Sequence, residues 1–166
     1  EIAAAFLDHL GETLALPGRY ADPGLRPSRT PGRIPDDLVA HIARTLARIR
    51  WRPREALEFA GRFLSEPKAH VYFKPPARAL PKARFEQAAG RRGLVLDGRT
   101  RLLHARGKFF LNGETVEARG DCAAWLRKLA DSRTLETLAG APAAFRDLAR
   151  DWHARGLLHL GEETTS

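Results

Sequence analysis

Methionine is absent from the 166 residues, and cysteine occurs once. A chain that opens at Glu1, already within a helical pattern and with no initiator Met, is expected to be a piece of a longer protein. The first ten residues carry neither a basic start nor a cleavage motif, which excludes a retained signal peptide. A lone cysteine excludes an internal disulfide framework and a Cys-based zinc site, and the lack of disulfides suits a cytoplasmic protein. No apolar run approaches the roughly 18 residues of a membrane helix, so no membrane association is expected. Lysine is scarce as well: five, against 23 arginines. Arginine and alanine abundance is partly what a GC-rich genome produces, so the net charge of +8 is a safer pointer to an anionic neighbour than the arginine count.

What is present divides near Pro67–His70. Before that point the pattern is helical. Ile2, Phe6, Leu10 and Leu14 recur every four residues, with Ala3 and Leu7 beside them, which makes one amphipathic face. Leu16-Pro17-Gly18 ends it, and residues 17–35 hold five prolines and three glycines, a loop too proline-rich for a helix. A second helix is expected over Asp36–Arg50, with Leu38, Ile42, Leu46 and Ile49 on one side and two aspartates at its positive end. Pro53 suits the first turn of a third helix, with Leu57, Ala60, Phe63 and Leu64 inward. Three helices in about 65 residues have a limited core of their own, so their broad apolar faces call for another surface.

After His70 helices alternate with short strands. Pro81 opens a helix with Phe85, Ala88 and Ala89 inward, ended by Gly90. Strands Leu94–Leu96 and Arg101–His104 flank an Asp97-Gly98 turn. Lys108–Leu111 and Thr115–Val116 flank Asn112-Gly113, a hairpin signal because both turn positions need positive φ. Asp121 is expected to cap a helix carrying Trp125, Leu126 and Leu129. Thr134 starts a helical turn through Leu138. Pro142 begins a last helix with Phe145, Leu148 and Trp152 inward and Gly156 at its C-cap, and Leu157–Leu160 adds a strand. Helices around a small hairpin sheet outline a winged helix.

Catalytic signatures are missing. None of the six histidines (9, 41, 70, 104, 153, 159) is followed two residues later by Asp or Glu, and there is no HExxH, GxSxG or glycine-rich phosphate loop. His153 and His159 sit across a helix end, a poor ligand arrangement. Cys122 lies in a first helical turn, where the dipole would lower a thiol pKa, but Ala123, Ala124 and Trp125 around it look like packing. Asp147 and Asp151, one helical turn apart, read as solvent-facing partners of Arg146, Arg150 and Arg155. No catalytic, cofactor-binding or metal-binding residue is therefore assigned.

Charge is unevenly placed. Residues 1–70 carry a net +2 and residues 71–166 a net +6; the window 74–108 holds ten basic and two acidic residues. Such a cluster is what phosphate contact needs, although a solvated face reads the same way. Arg44, Arg48, Arg50, Arg52 and Arg54 form a second run around Trp51, which is either a packing residue or a stacking platform. A DNA reader needs Arg, Lys, Asn or Gln at the start of its recognition helix; the starts at Asp121-Cys122-Ala123-Ala124 and Thr134-Leu135-Glu136 offer none.

The order of features resembles one family. Arg19-Tyr20-Ala21-Asp22-Pro23 and the proline-rich run to Ile34-Pro35-Asp36-Asp37-Leu38 come first, then GLVLDGRTRLLHARGKFFLNGE, then LARDWHARGLLHLGE. Over about residues 1–161 this is similar to the C-terminal half of bacterial JmjC/cupin ribosomal oxygenases. These are 2-oxoglutarate- and Fe(II)-dependent hydroxylases of an arginine in a large-subunit ribosomal protein. The resemblance implies that the catalytic cupin, with its His-x-Asp…His iron site and its 2-oxoglutarate, is absent from this chain and precedes Glu1.

The resulting expectation is an α+β, mostly α chain: a helical dimerisation domain (1–67), a winged-helix domain with a small antiparallel sheet (71–161) and a disordered tail (162–166). Ile2, Phe6, Leu10, Leu14, Leu38, Ile42 and Leu46 would form a homodimer interface. Arg91, Arg92, Arg99, Arg101 and Lys108 would contact the ribosomal protein substrate or ribosomal RNA. The rival class is a DNA-binding winged-helix regulator with a helical dimerisation arm.

Overall fold

The computed structural model describes residues 1–13 and 32–162. The readings placed on Leu14, on Leu16-Pro17-Gly18, on Tyr20…Asp22-Pro23 with most of the proline-rich run, and on residues 163–166 of the tail lie outside the described residues. The chain divides into two compact units, Glu1–Phe59 and Ala60–Ser166.

The first unit holds α1 (Ile2–Thr13), α2 (Asp36–Leu46) and the start of α3 (Pro53–Ser65). α2 begins after Pro35, with Asp36 and Asp37 in its first turn. It stops at Leu46 instead of reaching Arg50: Arg48 and Ile49 donate to the carbonyls of Thr45 and Leu46, so the last turn tightens and Ile49 leaves the predicted face. α3 starts as expected at Pro53. The Glu55 carboxylate accepts the backbone N–H of Arg52 at 2.8 Å, half of a capping box. Phe6, His9 and Phe59 form an aromatic cluster with ring centroids 5.1–6.4 Å apart.

The second unit continues through α4 (Lys82–Arg92), β1 (Leu94–Leu96), β2 (Leu102–Ala105), β3 (Lys108–Leu111), β4 (Glu114–Val116), α5 (Gly120–Ser132), β5 (Thr134–Leu135), α6 (Ala143–Ala154) and β6 (Leu158–Leu160). Two three-stranded antiparallel sheets result, β5-β1-β6 and β2-β3-β4. Helices α4, α5 and α6 close on them over one core that includes Phe85, Leu94, Phe109, Leu126, Leu129, Phe145, Trp152 and Leu158. Each fully buried side chain of this size stabilises by about 1.5–3 kcal/mol. Among the described residues no helix is long and apolar enough to cross a membrane, and neither sheet has the strands to close a cupin barrel.

The Asn112-Gly113 hairpin forms as expected, with φ of 49° and 89°. A second hairpin of the same kind joins β2 to β3 through Arg106-Gly107, at φ 48° and 79°, where the sequence reading placed no turn. The Asp97-Gly98 turn also forms as expected; the strands on either side of it lie in different sheets, because Leu94 pairs with Leu135 and Leu160. Three other expectations are corrected. α4 runs through Gly90 to Arg92 and ends on Gly93, whose φ of +69° tolerates a close approach to the Leu135 carbonyl that a Cβ would block. α5 starts at Gly120 with Arg119 as its cap, so Asp121 sits inside the first turn. Thr134 and Leu135 form β5, not a helical turn: Leu135 is buried beside Leu94, and edge pairing outweighs a weak helical preference.

β3 is buried on both faces. Phe109 and Leu111 point into the main core, whereas the Phe110 ring lies against Gly61 of α3, where any Cβ would overlap it. A glycine inside a helix costs about 1 kcal/mol; close approach of backbone to ring is what that position needs.

Candidate functional site

The two candidate surfaces lie in different units. In the first unit, Leu10 is buried and Phe6 packs on Phe59, so both serve the unit's own packing. Leu38 is half-buried. The other described members of the predicted face stay in water: Ile2 is 48%, Ile42 45% and Leu46 59% exposed. Leu7 (63%) and Val39 (52%) extend the same apolar exposure, and α2 has no buried residue at all. Exposed large apolar side chains on short helices are what an association surface requires. Trp51 sets its ring edge-on to Phe6 at 5.8 Å while remaining more than half exposed.

In the second unit the predicted basic contacts separate into engaged and available groups. Arg99 is the most engaged. Its Nε and Nη2 donate to the two oxygens of Asp97 at 2.8 and 2.9 Å. Its Nη1 donates to the Tyr72 carbonyl at 2.7 Å, and its guanidinium lies 5.8 Å from the Phe73 ring. Asp97 also accepts the backbone N–H of Arg99 and is bonded to His159 Nε2, each at 2.9 Å. The Arg99 side chain, above all, and His159 hold the Asp97 carboxyl well below the usual carboxylate range, against the opposing effect of burial. Arg99 is thus engaged within the fold as a fork on Asp97, while half of its side chain remains exposed.

Arg101 donates from Nη1 to the Leu64 carbonyl at 3.2 Å, and its backbone N–H reaches Asn112 Oδ1. Lys108 is half-buried and engaged. Arg92 donates from Nε to the Gly161 carbonyl at 2.7 Å. Arg91 is exposed and lines an open groove of about 280 Å³ with Leu80, Arg84, Gln87, Ala88, Arg92 and Leu160. Sequence reasoning missed Arg84 within this groove, although it lay in the basic window; its helical register with Arg91 was the available signal. It also missed Arg133, which takes φ +61° at the end of α5 and donates to the carbonyls of Asp97 and Thr100.

The remaining candidates are structural. His153 is buried against Phe85, with Nδ1 3.2 Å from the Leu158 carbonyl, and His104 meets Asp131 at 2.8 Å. Among the described residues no cluster of three His, Cys, Asp or Glu could hold a metal ion. Burial pushes the Cys122 thiol up, which corrects the dipole-lowered thiol considered from its helical position. The Thr134 start for a recognition helix is withdrawn because that segment is β5, and α6 begins Ala143-Ala144-Phe145, with nothing to read a base edge.

Comparison with known proteins adds three findings. The family described as ROXA-like winged helix matches residues 48–159. The fold is similar to that of YcfD, a ribosomal oxygenase from Escherichia coli, solved in complex with cobalt and succinic acid: TM-score 0.70, 18% identity, 98% of this chain and 46% of that one. The same protein with cobalt and 2-oxoglutarate gives a TM-score of 0.69 at 18% identity, over 97% and 45%. The chain therefore spans less than half the length of these structures. No curated protein sequence matches it.

Proposed function

The chain belongs to the ROXA-like winged-helix family, and from that premise we propose that it is the C-terminal, non-catalytic region of a ribosomal oxygenase. The observation that carries the reading is the fold similarity along nearly the whole chain to a protein more than twice as long. In this reading a cupin preceding Glu1 binds Fe(II) and 2-oxoglutarate and hydroxylates an arginine of a large-subunit ribosomal protein in the cytoplasm. Cobalt with 2-oxoglutarate or with succinate in the Escherichia coli structures supports that chemistry, since succinate is what 2-oxoglutarate becomes on oxidative decarboxylation. The described residues hold no group of three or more His, Cys, Asp or Glu that could bind a metal ion, so no step of the reaction is placed on them.

Two tasks remain for this region. The first unit joins two copies through Ile2, Ile42 and Leu46, with Leu38 continuing the face and Phe6 and Leu10 supporting it from within. The winged helix positions the ribosomal protein, with its RNA, toward the cupin. Incubation of the full-length protein with Fe(II), 2-oxoglutarate and ribosomal proteins should add one oxygen to an arginine, read by mass spectrometry of digests. Sedimentation equilibrium should give a dimer that the Ile42→Glu/Leu46→Glu variant converts to monomer. A full-length protein that consumes no 2-oxoglutarate in the presence of ribosomal proteins would overturn the activity, and a monomer at high concentration would overturn the interface.

A further inference from the structure

Gln87 and Ala88 lie three and four residues after Arg84, and four and three before Arg91, so the four form a single stripe along α4. The opposite side of α4 carries Phe85 and Ala89, both fully buried, so the stripe is held in place by the core behind it. Together with Leu80, Arg92 and Leu160 it lines the open groove, whose seven residues include three arginines and no acid. The neighbouring charges of α4 are already committed. Lys82 pairs with Asp147 at 2.8 Å and Glu86 with Arg146 at 3.2 Å. The Arg92 bond to the Gly161 carbonyl ties the end of α4 to the residue after β6. Among the described residues, the guanidinium groups of Arg84 and Arg91 have no hydrogen-bond or ion-pair partner.

Two uncommitted guanidinium groups on one face, without a competing carboxylate in the groove, form an anion site. Their backbones stand seven residues apart, about 10 Å along the helix, which suits two points on an extended polyanion better than one small ion. Gln87 lies between them with both a donor and an acceptor, and Leu80, Ala88 and Leu160 supply an aliphatic floor. We propose that this groove binds the phosphodiester backbone of single-stranded RNA, Arg84 and Arg91 each taking a phosphate and Gln87 meeting a ribose hydroxyl or base edge. The choice of RNA over an acidic peptide rests on the reading above, because RNA is the prevailing polyanion around a ribosomal protein. With no aromatic side chain in the groove, binding is expected to have little base preference.

Fluorescence anisotropy of a labelled single-stranded RNA dodecamer with the full-length protein tests the proposal. Arg84→Glu/Arg91→Glu should weaken binding at least tenfold. The charge-neutral Arg84→Gln/Arg91→Gln should lower the slope of log affinity against log salt by about 1.4, since each phosphate contact to a single strand contributes about 0.7. Circular dichroism melts confirm folding of both variants. Arg44→Glu/Arg48→Glu, on the first unit, should leave affinity unchanged. Unchanged RNA affinity in the α4 variants would overturn the proposal, and so would a poly-glutamate peptide that binds as tightly as RNA and competes with it. Hydroxylation without RNA binding would leave the activity standing and remove this site; RNA binding lost with the α4 variants in a protein without hydroxylase activity would do the reverse.

Discussion

Asp97→Asn is the most informative perturbation of the winged helix. The carboxylate accepts two Arg99 side-chain bonds and one Arg99 backbone bond, and is bonded to His159. An amide keeps one acceptor oxygen and turns an N–H₂ group toward donors, so about two of these contacts and the charge are lost. Hydrogen bonds to charged groups contribute about 1.5–3 kcal/mol each. The sum is discounted because the Arg99 side chain is half exposed, at 50% against 9% for Asp97, and regains water when released. A net loss of about 2 kcal/mol at pH 7 follows, or roughly 8–16 °C in Tm for a unit of this size. The pH dependence has a definite sign. The folded carboxyl is held below its ordinary range, so the unfolded chain, titrating near 3.9, takes up the proton first as pH falls. The stabilisation is complete above about pH 5 and is lost progressively as pH drops through 4 toward the folded pKa. Urea titrations followed by circular dichroism should therefore show the gap between wild type and variant narrowing by about 1 kcal/mol at pH 3. A gap under about 0.5 kcal/mol at pH 7, or one that stays constant down to pH 3, would refute the reasoning.

Other outcomes follow from single contacts. Ser65→Ala removes the hydroxyl that accepts the Gly113 N–H at 2.9 Å and should cost about 1 kcal/mol in urea unfolding, because a part-buried donor loses its partner. Gly61→Val forces a side chain into the Phe110 ring; overpacking should cost about 1–3 kcal/mol in the same assay. Gly156→Ala meets both a φ of +75° and the Lys74 carbonyl and should lower stability by more than about 1 kcal/mol. A thiol-reactive dye should label Cys122 only after unfolding, since the residue is buried and its thiol is pushed up; rapid labelling of the native protein at neutral pH would contradict that environment.

The basic window shows how far local reading reaches. Ten basic residues against two acids made Arg99 and Arg84 equivalent, because net charge weighs every guanidinium alike. Asp97 breaks the tie. Its turn brings the carboxylate back onto Arg99 two residues later, and β6 brings His159 from 62 residues away. Arg84 keeps its charge for solvent because Phe85 next to it is drawn into the core. The helical face of the first unit was legible for a different reason: spacing alone aligns Ile2 with Phe6 and Ile42 with Leu46. Which of those side chains the unit consumes itself, as with Leu10, depends on helices distant in sequence.

Sequence alone determined the features whose causes are local. Apolar spacing set the helices, Pro35, Pro53, Pro81 and Pro142 marked helix starts, and Asn112-Gly113 needed a hairpin because two adjacent positive φ angles admit little else. Tertiary structure decided whatever depends on partners far along the chain. It assigned β1 to β5 and β6 instead of β2, drew Thr134-Leu135 into a sheet, and made Gly61 the place where α3 meets Phe110. The same long-range packing committed Arg99 to Asp97 and left Arg84 and Arg91 to face an open groove. Backbone preferences of a fraction of a kcal/mol per residue decide a turn or a helix end. Burial of side chains at about 1.5–3 kcal/mol each decides which strand pairs with which, and so which charges remain available for function.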